Sequence, residues 1–166
     1  MGKRTILAMG KSAPVVINPG LLDNERTLVV SQNHRIMLSS IQADLNFGEH
    51  EVWVPAKSLT NSREIYIKNR KTVTYYHLLL AQHDVLFADG LAAESLLLGD
   101  VSKGLLGLQA KEEIAQIAPA AQKLHSSHLM LTKTEATFLA LAMGIRKHIP
   151  QPAARAPKII QRAQIK

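Results

Sequence analysis

The chain contains no cysteine, so neither a disulfide framework nor a thiolate zinc site is possible, and the redox compartment leaves no mark. It has no apolar run near the roughly 18 residues that a membrane-spanning helix requires. Its opening, MGKRTILAMGK, is basic and then apolar, but the apolar part is too short for a secretory signal. Gly2 suggests N-myristoylation, yet Ile6 stands where that motif requires serine or threonine. A cytoplasmic location is the default, with secretion by way of an upstream region left open. Two familiar catalytic motifs are also missing. There is no Gly-x-Ser-x-Gly elbow, and Gly10-Lys11-Ser12 is no phosphate loop, because Thr5 occupies the position of the leading glycine.

What remains is one domain's worth of chain. Its 166 residues are 46% hydrophobic, enough to bury a core. The net charge of +7 is unevenly placed. Residues 1–100 hold 10 basic and 10 acidic side chains, whereas residues 101–166 hold 10 and 3. The excess therefore belongs to the C-terminal third. Basic segments of this kind bind nucleic acid or anionic membrane, and a tail like this one could also dock an acidic partner. Beyond residue 100 the only aromatic is Phe138, so the stacking platform for single strands is missing and nucleic acid is disfavoured.

Short apolar runs punctuated by turn residues dominate the first hundred positions. Strands are expected at residues 5–9, 14–17, 27–30, 35–38, 52–54 and 64–67. Asn18-Pro19-Gly20 closes the second, and residues 40–50 and 69–71 read as turns. One helical turn fits residues 55–59. Residues 75–80 and 85–87 read as adjacent strands of one sheet, followed by a turn at Ala88-Asp89-Gly90. After residue 100 the period changes. Residues 110–118 (AKEEIAQIA) suit a helix with Ile114 and Ile117 on one face. Thr132 and Glu135 form a capping-box pair that opens a helix to about residue 147, stopped by Pro150. Residues 149–166 hold three prolines and no acid and are expected to be a mobile basic extension.

A string of residues across positions 75–95 carries a resemblance: Tyr75, His77, Leu78, His83, Ala88, Asp89, Gly90, Glu94 and Ser95. In order and spacing it is similar to the closing motif of Hint (hedgehog/intein) domains of a bacterial type. Upstream, Ser31-x-x-His34 resembles the Thr/Ser-x-x-His motif of the same family, and Val54, Ala56 and Leu59 match its Val-x-Ala-x-x-Leu element. The resemblance implies a mainly β fold. A Hint-like body, incomplete at its N-terminus, would span 1–100, a pair of α-helices 101–148, and the basic tail 149–166.

It also implies chemistry on the protein's own backbone, namely the autoproteolysis or splicing that begins with an N-acyl shift. His34 would protonate the departing amide nitrogen, as an imidazole of pKa near 6.5 can do at neutral pH. Ser31 would orient the strained amide, and His77, His83 and Asp84 would flank the cleft. The natural partner is then the protein's own upstream polypeptide, including a missing N-terminal Hint segment. That segment carries the family's nucleophilic cysteine, and the terminal His-Asn pair is replaced here by Ala93-Glu94-Ser95. Alone, the chain is expected to be silent. No cofactor is implied, and no local spacing supports metal ligation by His34, His77 and His83. The bland readings stand beside these. His34 could be a hydrogen-bonded core histidine, Ser31 could simply start a strand, and the chain could be a non-catalytic binding module acting through its tail.

Overall fold

The computed structural model describes residues 2–78, 80, 84–95, 126 and 128–147. These residues build a mainly β body of ten strands in three sheets. The strands are β1 (Gly2–Ala8), β2 (Val15–Ile17), β3 (Leu28–Val30), β4 (Arg35–Ser39) and β5 (Glu51–Pro55), then β6 (Ile65–Ile67), β7 (Arg70–His77), β8 (Val85–Ala88), β9 (Leu91–Glu94) and β10 (Leu129–Met130). Two α-helices accompany them, α1 (Ile41–Phe47) and α2 (Lys133–Ala142). No described helix is long and apolar enough to cross a membrane.

The largest sheet has the order β10-β5-β4-β9-β8, and β4 is its middle strand. β4 runs antiparallel to β5 from Arg35↔Pro55 to Ser39↔Glu51, and meets β9 at Ile36↔Ala93. Ile36 thus lies between two neighbouring strands with no exposed surface. A second sheet, β3-β2-β6, is centred on Val15-Val16-Ile17. All three of those residues are buried, which explains why that strand reads as an unbroken apolar run rather than an alternation. The third is a two-stranded ribbon of β1 and β7. Ile17, Ile65, Leu59 and Leu139 are wholly buried in one cluster, so the five-stranded sheet, the β3-β2-β6 sheet and α2 share a core.

Two caps define the helices. The Ser40 side chain accepts the Ala43 N–H, and Gly48, at φ 72°, closes α1 in the left-handed conformation open to glycine. α2 carries the expected capping box between Thr132 and Glu135. It stops at Ala142 rather than near residue 147. Gly144 (φ 86°) reverses the chain there, with its N–H donating to Leu141 and that of Ile145 to Ala140. This is a Schellman closure, sealed by buried Ile145.

Other expectations need correction. Residues 40–50, read as turn, contain α1. Residues 69–71, also read as turn, include the first residues of β7. Residues 75–77 and 85–87 are strands, but not neighbours. β7 pairs with β1, whereas β8 pairs with β9 across a two-residue turn at Asp89-Gly90. Both turn residues have positive φ, 49° and 85°, so the twist of this tight turn favours immediate hairpin pairing of β8 with the strand that follows it. The helix expected at 110–118 and the tail at 149–166 lie outside the described residues.

If Ile36 is a keystone of the core, Ile36→Ala will cost about 2–5 kcal/mol of unfolding free energy. Leu45→Ala, at a side chain 80% exposed, will cost within about 0.5 kcal/mol. Urea melts of the two variants check the contrast.

Candidate functional site

His34 sits at the N-terminal edge of the central strand, where its backbone is fixed on three sides. Its own N–H donates to the Ser31 carbonyl at 3.1 Å, closing a four-residue turn. Its carbonyl accepts the Ala56 N–H at 2.8 Å. The next peptide N–H, that of Arg35, donates to Glu94 Oε1 at 2.9 Å. Three separated pieces of sequence therefore meet at His34: the Ser31 turn, the helical turn that follows β5, and the end of β9. His34 is half-buried.

Neighbouring contacts stiffen the turn. Gln32 donates its side-chain amide to the carbonyls of Gly10 and Ala13, and its own carbonyl accepts the Lys57 N–H. Lys57 Nζ reaches Asn33 Oδ1 at 2.7 Å. Ala56 and Leu59 are wholly buried and anchor the segment that grips His34.

Glu94 is the residue that sequence reasoning failed to place in the site, although it stood in the closing motif. Its side chain is only 15% exposed, and Arg35 Nε lies 4.0 Å from Oε2. The guanidinium also donates to the Leu131 carbonyl at 3.4 Å. Burial pushes the Glu94 carboxyl up to about 7, against the opposing pull of the Arg35 N–H and guanidinium charge. A carboxylate closing an otherwise apolar strand, Leu91-Ala92-Ala93-Glu94, was the available signal. A half-buried acid at a strand end needs a donor, and Arg35 supplies it.

The remaining candidates are dispersed. Asp84 is exposed, and its N–H donates to the Oγ of buried Ser95 while its carbonyl accepts the Ser95 N–H. That pair closes the open end of the β8–β9 hairpin, next to Glu94 in sequence. β9 thus links Asp84 to the strand that follows His34. Ser31 contributes its carbonyl to the turn, and its side chain is half-buried. His77 is the last residue of β7, opposite Gly2 in the ribbon, outside the five-stranded sheet, and its side chain lies outside what the structure describes. His83 lies outside the described residues.

The mainly β body agrees with the fold expected of a Hint domain. The Hint domain family model matches residues 1–100, and the chain belongs to that family. Comparisons with curated proteins and with solved structures give no match.

Glu94 yields a signed pH dependence. A carboxyl raised from 4.5 to about 7 holds its proton in the folded state where the unfolded chain has lost it. Its contribution to stability is fully present below the unfolded value and is lost as pH rises through about 7. Between those values the folded protein will lose on the order of 2–3 kcal/mol from this group. Glu94→Gln will flatten that slope, read by urea melts at several pH values. A slope equal to that of the parent would refute the assignment.

Proposed function

We propose that the chain is a self-processing domain in which His34 is the general acid of an N-acyl shift. In that step a thiol sulfur attacks the carbonyl carbon of the peptide bond that precedes it and gives up its proton. His34 passes a proton to the departing amide nitrogen, the C–N bond breaks, and a thioester remains. An amide nitrogen is a very poor leaving group until it is protonated, so the acid's position decides the rate. The thiol must come from polypeptide outside these 166 residues, which hold no cysteine. By themselves they are expected to be silent, and the partner is an upstream Hint segment.

The observation that supports this reading most is the fixing of both peptide groups that flank His34, the one before it by the Ser31 carbonyl and the one after it by Ala56 and Glu94 together. A proton donor of this kind must be aimed, and its backbone cannot drift while both groups are held. In the proposed site Ser31 is the orienting hydroxyl. Glu94 positions the His34 segment through Arg35.

The test is to fuse a Hint-type N-terminal segment with a leading cysteine ahead of Met1 and to measure thiol-induced cleavage. Cleavage is expected in the fusion, and His34→Ala is expected to slow it by roughly 100-fold or more. Ser31→Ala is expected to slow it less. A fusion that cleaves equally well with His34→Ala would overturn the acid role.

A further inference from the structure

The balance of charge across residues 1–100 conceals a segregation that appears only when the strands are assembled. Six of the ten cationic residues are Lys3, Arg4, Lys11, Lys68, Arg70 and Lys71. They fall on residues 1–22 and 65–83, the segments that supply β1, β7 and the turn between β1 and β2. Those segments contain no acid, so they carry +6 while the rest of the first hundred residues carries −6. Pairing β1 with β7 brings the positions of Lys3, Arg4, Arg70 and Lys71 into one ribbon, and Lys11 and Lys68 lie in the segments next to its strands.

The charge is densest at one end. There the ladder shifts register between Leu7 and Ala8, and Ala8 faces Arg70. The Gly10 N–H donates to Asn69 Oδ1 at 3.2 Å, and the Lys68 N–H to the Pro14 carbonyl at 3.0 Å, which clasps the two turns together. Lys11, Lys68, Arg70 and Lys71 are all exposed around this tip. Among them stand Leu7 at 70% exposure, Met9 at 66% and Ile67 at 46%.

We propose that this tip is a docking surface for a bilayer that contains anionic lipids. Protruding aliphatic side chains beside lysine and arginine, on segments whose sequence holds no acid, fit a headgroup layer. The apolar groups enter the acyl boundary and the cations meet lipid phosphates. A nucleic acid offers nothing to Leu7, Met9 and Ile67, and Tyr76, exposed and opposite Lys3, lies at the far end of the ribbon. This inference is independent of the self-processing chemistry.

The experiment is vesicle co-sedimentation of the full chain, with phosphatidylcholine alone and with phosphatidylcholine mixed with phosphatidylserine. Binding is expected only to the mixture. Lys68→Glu with Lys71→Glu is expected to weaken it on the order of 30-fold. The same charge change in the basic tail, Lys158→Glu with Arg162→Glu, is expected to weaken it less. Leu7→Ser with Met9→Ser is expected to cost about tenfold, and that loss is expected to persist at high salt. Equal binding to both vesicle types, or none to either, overturns the proposal. So does an equal loss from the ribbon and tail pairs, which would reduce the effect to net charge. A single-stranded oligonucleotide serves as the second probe. If it binds more tightly than the vesicles and is indifferent to Leu7→Ser with Met9→Ser, the surface is one for nucleic acid and not for lipid.

Discussion

The bond from the Arg35 N–H to the Glu94 carboxylate joins the two halves of the site. It crosses from β4 to the end of β9, between residues far apart in sequence, at a point where the two strands share a single register pair, Ile36↔Ala93. A backbone N–H at the edge of a ladder would otherwise be left to water or be unsatisfied. Placing an acid there ties the hairpin to the central strand and holds the segment that carries His34. The same burial that makes the bond strong makes the ionised acid costly, which is why its proton is retained toward neutral pH. Structure at this junction and protonation of Glu94 are therefore one equilibrium.

Much of the β body was legible because each strand is short, apolar and bounded by a residue with a distinct conformational reason. Asp89-Gly90 is the clearest case. Both residues take positive φ, and a Cβ on Gly90 would lie 3.3 Å from the Asp23 carbonyl oxygen. The buried run of β2 and the cap at Thr132 could be read for similar reasons. α1 escaped because its seven residues expose Ile41 and Leu45 and bury Ala43, so no apolar stripe announces it. Its signals were the caps Ser40 and Gly48. Pro150 marks a later stop for α2 in the sequence, but the Schellman closure at Met143-Gly144-Ile145 ends the helix at Ala142.

The site was legible in its motifs and not in its contacts. Spacing along the chain marks Ser31, His34, Val54, Ala56, Leu59 and Glu94, but it does not reveal that Ala56 and Glu94 together grip the peptide group that joins His34 to Arg35. Such information is long-range, carried by strand order rather than by local pattern. The pairing of β7 with β1 is of the same kind. No count of charges along the sequence shows a basic ribbon, because its cations come from two segments more than forty residues apart. Evenly balanced composition and a strongly polarised surface are compatible once the sheet is folded.

The most direct measurement is the pH titration of the Arg35 backbone amide by nuclear magnetic resonance. A hydrogen bond to Glu94 predicts an amide protected from exchange, whose chemical shift moves with a midpoint near 7, together with the Glu94 carboxyl carbon. An Arg35 amide that exchanges freely, or whose shift stays level while Glu94 titrates, would contradict the junction on which the placement of His34 rests.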